Sequence, residues 1–114
     1  MDLELIQSRL RKFAEDRDWE QFHSPKNLVM ALSVEVAELM EIFQWSNSGG
    51  LDEVKDASKR KQIEQEIADV FNYLVKIADA LDIDLEKASL AKIADNEEKY
   101  PVDQFKGTAK KYNQ

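Results

Sequence analysis

Glu35-Val-Ala-Glu38 and Glu66-Ile-Ala-Asp69 each place two carboxylates three positions apart, inside otherwise apolar sequence. Acids at i and i+3 share one face of a helix. The first pair sits among Leu28, Val29, Met30, Ala31, Leu32, Val34, Leu39, Met40 and Ile42. A helix that is apolar almost all round is buried on most of its sides. Ionised carboxylates buried without a partner cost several kcal/mol or more, so a partner is expected. No Arg or Lys shares these runs, which leaves a cation from solution. Oxygen-only ligands select hard ions: Mg²⁺, Mn²⁺ or Ca²⁺. The competing reading is two solvated acid pairs on exposed faces, which is what most such spacings are.

Other metals fit less well. A carboxylate-bridged di-iron bundle needs Glu-x-x-His on two helices, and the single histidine, His23, follows no glutamate at that spacing. There is no cysteine, which excludes thiolate zinc sites, disulfides and Cys nucleophiles together. Glu41 continues the acid series, but helical rotation carries it well away from Glu35. It is expected outside the ligand set.

The elements that must hold these acids are legible from periodicity and punctuation. Leu3, Ile6, Leu10 and Phe13 predict a first helix over about 2–18. Ser24-Pro25 reads as an N-cap followed by proline at the first helical position, opening a helix over about 25–45 that ends at Ser46-Asn47-Ser48-Gly49-Gly50. A helical turn near Leu51–Val54 is expected within the polar connection. The stripe Ile63, Ile67, Val70, Phe71, Leu74, Val75, Ala78, Leu81 predicts a third helix over about 57–81. Asp84 caps a fourth over about 84–100, bounded by Pro101. No strand-like alternation occurs. The expected fold is all-α, a compact four-helix bundle-type domain over 1–100 with a polar, lysine-bearing tail over 101–114. Two of its helices are too apolar for a lone bundle of this size, so a homo-oligomer is expected, a dimer at least.

Bulk properties narrow the partners. The 114 residues carry a net charge of −7, which disfavours nucleic-acid polymers and anionic membranes. An anionic small molecule is still admissible if metal ions stand between it and the acids. The start, Met-Asp-Leu-Glu, lacks the basic and apolar regions of a signal peptide, and no apolar run approaches the ~20 residues of a membrane span. A cytoplasmic location is expected.

The acid pairs and their flanks resemble a known family. Glu-x-x-Glu, residues 39–65, then Glu-x-x-Asp is similar to the signature of the all-α nucleoside triphosphate pyrophosphohydrolases, the MazG-like superfamily, and most of all its small dCTP pyrophosphatase-like members. Trp19-Glu-Gln-Phe-His23-Ser-Pro-Lys-Asn27, Phe43-Gln-Trp45, Asp69-Val-Phe-Asn-Tyr73 and Lys92-Ile-Ala-Asp-Asn96-Glu-Glu-Lys99-Tyr100-Pro101 resemble that group's segments in order. The likeness runs over roughly residues 10–112. It implies Mg²⁺-dependent cleavage of a nucleoside triphosphate between the α and β phosphates, with Mn²⁺ as a substitute ion. Glu35, Glu38, Glu66 and Asp69 match the family's metal ligands; a carboxylate among them not fully used in ligation, Glu38 or Glu35, is available as general base. A deoxynucleotide such as dCTP or a modified pyrimidine, and a tetramer, are implied likewise.

The flanking residues acquire roles on the same footing. Trp19, His23 and Trp45 match base-holding positions; without the resemblance, core or subunit-interface tryptophans would be the better reading. Tyr73 lies one turn beyond Asp69 and is placed to meet sugar or phosphate, or else is a bundle tyrosine with its hydroxyl at the rim. Lys92, Asn96 and Lys99 form one stripe of the fourth helix, read as phosphate and nucleoside contacts against a solvated face. Lys110 and Lys111 either close over phosphates or belong to a basic tail. The rival functional reading is a non-catalytic oligomerisation or regulatory module with a residual metal or nucleotide site.

Overall fold

Each of the four long helices begins where a short polar side chain can accept the otherwise orphaned N–H groups of a first turn. In the computed structural model, which describes residues 1–113, Asp2 accepts from the Leu5 amide at 3.0 Å and opens α1, Leu3–Asp16. Ser24 accepts from Asn27 N at 3.2 Å and, with Pro25 behind it, opens α2, Pro25–Phe43. Asp56 accepts from Lys59 N at 2.9 Å at the head of α3, Ala57–Ala80. Asp84 does the same for Lys87 N at 3.0 Å in α4, Leu85–Lys99. The chain is all-α as expected, and the four long helices end within two residues of their sequence-based bounds. A fifth helix, α5, spans Val102–Phe105, where the composition had given no helical signal.

The chain divides into two compact units, Met1–Asp82 and a second beginning at Ile83. In the first, α3 packs along α2 and also against α1. Ala14, Leu28, Val54, Val75 and Ala78 are the buried residues. Arg11 of α1 grips Asp79 of α3 with two parallel hydrogen bonds, Nε to Oδ2 at 2.7 Å and Nη2 to Oδ1. That pairing holds the Asp79 carboxyl below the usual carboxylate range. Asp18 and Asp82 adopt φ of 53° and 54° just past α1 and α3. Left-handed residues at these places turn the chain out of a helix, and aspartate tolerates the conformation better than most.

The α2–α3 connection contains the anticipated turn, a 3₁₀ segment at Leu51–Val54. Glu53 organises it by accepting from Asn47 N and Gly49 N, both at 2.9 Å, and from the hydroxyls of Ser46 and Ser48. Those donors hold its carboxyl down to about 2. Gly49, at φ +66°, supplies the left-handed step that brings its own amide round to the carboxylate.

The apolar stripes are only partly covered. Along α3, Val75 and Ala78 are buried, whereas Ile67, Leu74 and Leu81 stand exposed at a spacing of seven. On α2, Val29, Val36 and Phe43 repeat that spacing on the outside. The period identifies apolar faces correctly, and the fold leaves part of each uncovered.

In the second unit, the Tyr100 ring meets Phe105 at 4.9 Å and Tyr112 at 6.1 Å, both edge to face. Lys99 Nζ lies 5.0 Å above the Tyr112 ring. Edge-to-face rings and a cation over a ring face are both favourable arrangements. Among the described residues, no helix is long and apolar enough to cross a membrane.

Candidate active site

The middle turns of α2 and α3 pack side by side, and that contact brings the two acidic runs together. One oxygen each from Glu35, Glu38 and Glu66 lies within 4.8 Å of the others. Glu35 Oε2 and Glu66 Oε2 are buried and have no hydrogen-bond partner. Burial pushes Glu35 up to about 7, reinforced by the Glu38, Glu66 and Asp69 carboxylates. Burial also raises Glu66, with Glu38 and Asp69 acting the same way and the adjacent Glu35 carboxyl opposing it. Buried acceptors left without donors are rare in folded proteins and call for an explanation. A hard divalent ion suits this donor set: every available atom is a carboxylate oxygen, and each orphan oxygen faces other acids. Glu41 is exposed and outside the group.

Asp69 is one turn along α3 from this group. It acts electrostatically on Glu35 and Glu66 and lines an adjoining cavity of about 480 Å³. Ile6, Leu10 and Phe13 of α1 and Trp19 give that cavity an apolar side; Asp69, Asn72, Tyr73 and Lys76 of α3 give it a polar one. A few convergent polar groups on a largely apolar lining is the usual make-up of a small-molecule site. Three of the proposed base and sugar contacts therefore meet here: Trp19, His23 and Tyr73.

Local structure fixes these walls. The Trp19 amide donates to Ala14 O at 2.9 Å, and its ring meets Phe13 edge-on at 5.7 Å. A 3₁₀ turn over Glu20–Phe22 follows, tied to the head of α2 by Asn27 Nδ2 donating to Phe22 O at 2.9 Å. His23 is carried between the two. Burial and the nearby Lys76 cation lower its pKa, so the imidazole stays neutral near pH 7.

Trp45, Lys92, Asn96 and Lys99 are not among the residues that line this cavity. Trp45 follows the end of α2 and is 87 % exposed. The 19 residues of α2 separate it from His23, a rise of about 28 Å, so within one chain it does not share the cavity. Lys92, Asn96 and Lys99 lie on α4 in the second unit and are exposed. Arg9, Asn72 and Lys76 line the cavity without having been singled out from sequence. For Asn72 and Lys76 a signal existed: they stand three and seven residues after Asp69, on its own helical stripe.

Residues 30–114 match the MazG-like family. The chain belongs to the MazG-like family. It is 41% identical over 111 residues to dCTP pyrophosphatase 1 of Rattus norvegicus, covering 96% of this chain and 65% of that protein. With dCTP pyrophosphatase 1 of Homo sapiens the identity is 39% over 113 residues, covering 98% of this chain and 66% of the relative. This MazG-like chain thus spans just under two thirds of the length of these curated relatives. Among solved structures, a pyrophosphatase from Archaeoglobus fulgidus superposes with a TM-score of 0.82 at 38% identity, covering 89% of this chain and 94% of that one. The MazG-like fold and the family resemblance read from the acid pairs are therefore both borne out.

Proposed function

We propose that this chain is a Mg²⁺-dependent pyrophosphohydrolase that cleaves a deoxynucleoside triphosphate, dCTP or a related pyrimidine, to a monophosphate and pyrophosphate in the cytoplasmic nucleotide pool. One observation carries the reading: orphaned, buried oxygens of Glu35 and Glu66 sit beside a cavity walled by Trp19, His23 and Tyr73. The names of the pyrophosphatase relatives support the same reaction class.

Glu35, Glu38, Glu66 and Asp69 are the residues that would hold the ion. When bound, it supplies the positive charge that lets a polyphosphate approach these acids and withdraws electron density from the anhydride. Water attacks one phosphorus of the α–β anhydride, the bond from that phosphorus to the bridging oxygen breaks, and the bridging oxygen leaves with the other phosphoryl group. Glu35 or Glu38, whichever is less engaged by the ion, accepts the proton of the attacking water. Trp19 offers a face for the base, where stacking is worth about 1–3 kcal/mol by analogy with single-strand binders. Tyr73, one turn beyond Asp69, meets the sugar. In this reading Lys92, Asn96 and Lys99 of α4 contact phosphate and nucleoside.

A second copy completes the assembly. The seven-residue seams Val29/Val36/Phe43 and Ile67/Leu74/Leu81 are what a helix buries against a partner helix. Trp45, too far along α2 to serve its own cavity, would serve that of a neighbouring subunit. Sedimentation of the purified chain should give a dimer or a tetramer, and Val36→Glu should shift it toward monomer. A monomeric wild-type chain would remove this part of the proposal.

The reaction itself is tested with purified protein, Mg²⁺ and a panel of triphosphates. Pyrophosphate and a nucleoside monophosphate are the expected products, with no orthophosphate. Nucleotide binding with no turnover across the panel would favour the non-catalytic module instead.

A further inference from the structure

Asp69, Asn72, Tyr73 and Lys76 line the cavity at helical spacing, so they form one stripe of α3. Asp69 is the member coupled to the acid cluster. Lys76 lies seven residues on, about 10 Å further along the axis at ~1.5 Å per residue. A nucleotide with its phosphates at the Asp69 end therefore carries its base toward Lys76, His23 and Trp19.

His23 and Lys76 also line a second cavity, of about 210 Å³, that contains Arg11, Glu20 and Asp79. With Leu10, they are the partition between the two spaces. Asp79 is already engaged through both oxygens by Arg11. Among the described residues, no carboxylate forms an ion pair with the Lys76 ammonium. Burial lowers the Lys76 pKa, and Glu20 and Asp79 act on it in the opposite sense as smaller influences. An ammonium has three hydrogens to donate and nothing with which to accept. Half-buried without a partner, it lacks acceptors that a ligand can bring.

We propose that Lys76 is a specificity residue whose ammonium donates to the adjacent O2 and N3 acceptors of a cytosine ring held against Trp19. The proposal rests on reading the cavity as a nucleotide site. Cytosine presents two neighbouring lone-pair atoms along that edge, whereas uracil and thymine interpose an N3–H, a donor facing a donor. The neutral His23 imidazole has one acceptor nitrogen available for the exocyclic amine of cytosine. A pocket built to satisfy polar edges discriminates strongly, because the wrong base leaves a desolvated group unpaired.

The test compares kcat/KM for dCTP, dUTP and base-free 2-deoxyribose 5-triphosphate in wild type, Lys76→Met and Lys76→Arg. Methionine keeps the unbranched stem and helix propensity while removing the donor. Loss of a hydrogen bond from a charged donor lowers efficiency by about 10- to 100-fold. That fall is expected for dCTP in Lys76→Met, with the base-free substrate changed less than about threefold by the same reasoning. The dCTP-to-dUTP preference should collapse, and Lys76→Arg should retain part of it. An equal fall on all three substrates, or an unaltered dCTP-to-dUTP ratio, overturns the assignment while leaving the hydrolase reading intact. Absence of turnover in the wild type removes the hydrolase reading and this proposal with it.

Discussion

Glu38→Gln is expected to lower kcat by about 10²- to 10⁴-fold, the range associated with losing a positioned proton acceptor, and Glu35→Gln and Glu66→Gln are expected to be comparably damaging. Glutamine keeps the shape of the side chain but cannot take a proton and carries no charge for a cation. The Glu35 and Glu66 substitutions should also raise the melting temperature of metal-free protein. Glu35 and Glu66 are raised by burial and by one another's neighbours, so each ionised acid destabilises the fold that contains it. Loss of turnover together with a gain in thermal stability separates a chemical role from misfolding. Steady-state kinetics and scanning calorimetry on the three variants check it. Wild-type activity in Glu38→Gln would refute the mechanism.

The second large effect is on how stability responds to pH and divalent ions. With the folded Glu35 near 7 and the unfolded carboxyl near 4.5, the folded state binds more protons across that interval. Stability of the metal-free protein therefore falls as pH rises from about 4.5 to 7. Glu53, held down to about 2, has the opposite sign. Its contribution is present above the unfolded value and is lost as pH falls toward 2. The metal-free chain is thus weakened on both sides of mildly acidic conditions. Mg²⁺ binds the deprotonated acids of the folded state, so the rise in melting temperature that it produces should be larger at pH 8 than at pH 5. At a hundredfold excess over Kd the shift is on the order of 10 °C. Thermal melts at the two pH values, with NaCl at matched ionic strength as control, measure it. A shift independent of pH, or reproduced by NaCl, would return the acids to the status of a solvated patch.

Much of this arrangement is legible in the sequence because its causes are local. Asp2, Ser24-Pro25, Asp56 and Asp84 fix helix starts through bonds to amides three residues away. The acid pairs declare a shared face through spacing alone. Other features depend on distances that sequence order conceals. Trp19 and Trp45 look like equivalent flanks of the same motif, yet α2 stands between them as a rigid rod. Asn72 and Lys76 look like ordinary polar positions until α1 is seen to close a cavity over them. Ile67 and Leu74 fit an apolar stripe, but periodicity marks the face without marking what packs on it, and both stand exposed. The packing of Phe105 and Tyr112 on Tyr100 joins aromatics at irregular intervals, so no repeat announces it.

The unbroken run of α3 from Ala57 to Ala80 has a bearing on how such a chain can diverge. One residue inserted between Glu66 and Lys76 would turn everything beyond it by ~100° and advance it ~1.5 Å. The acid cluster and the cavity wall would part company in a single mutational step. Positions of this helix outside the site and the core can change residue type, whereas its length between the acids and the cavity wall cannot change. Insertions and deletions are more tolerable in the Asn47–Gly49 stretch of the connection, which is exposed and whose bonds are local to it, and there families of this architecture have room to become long or short.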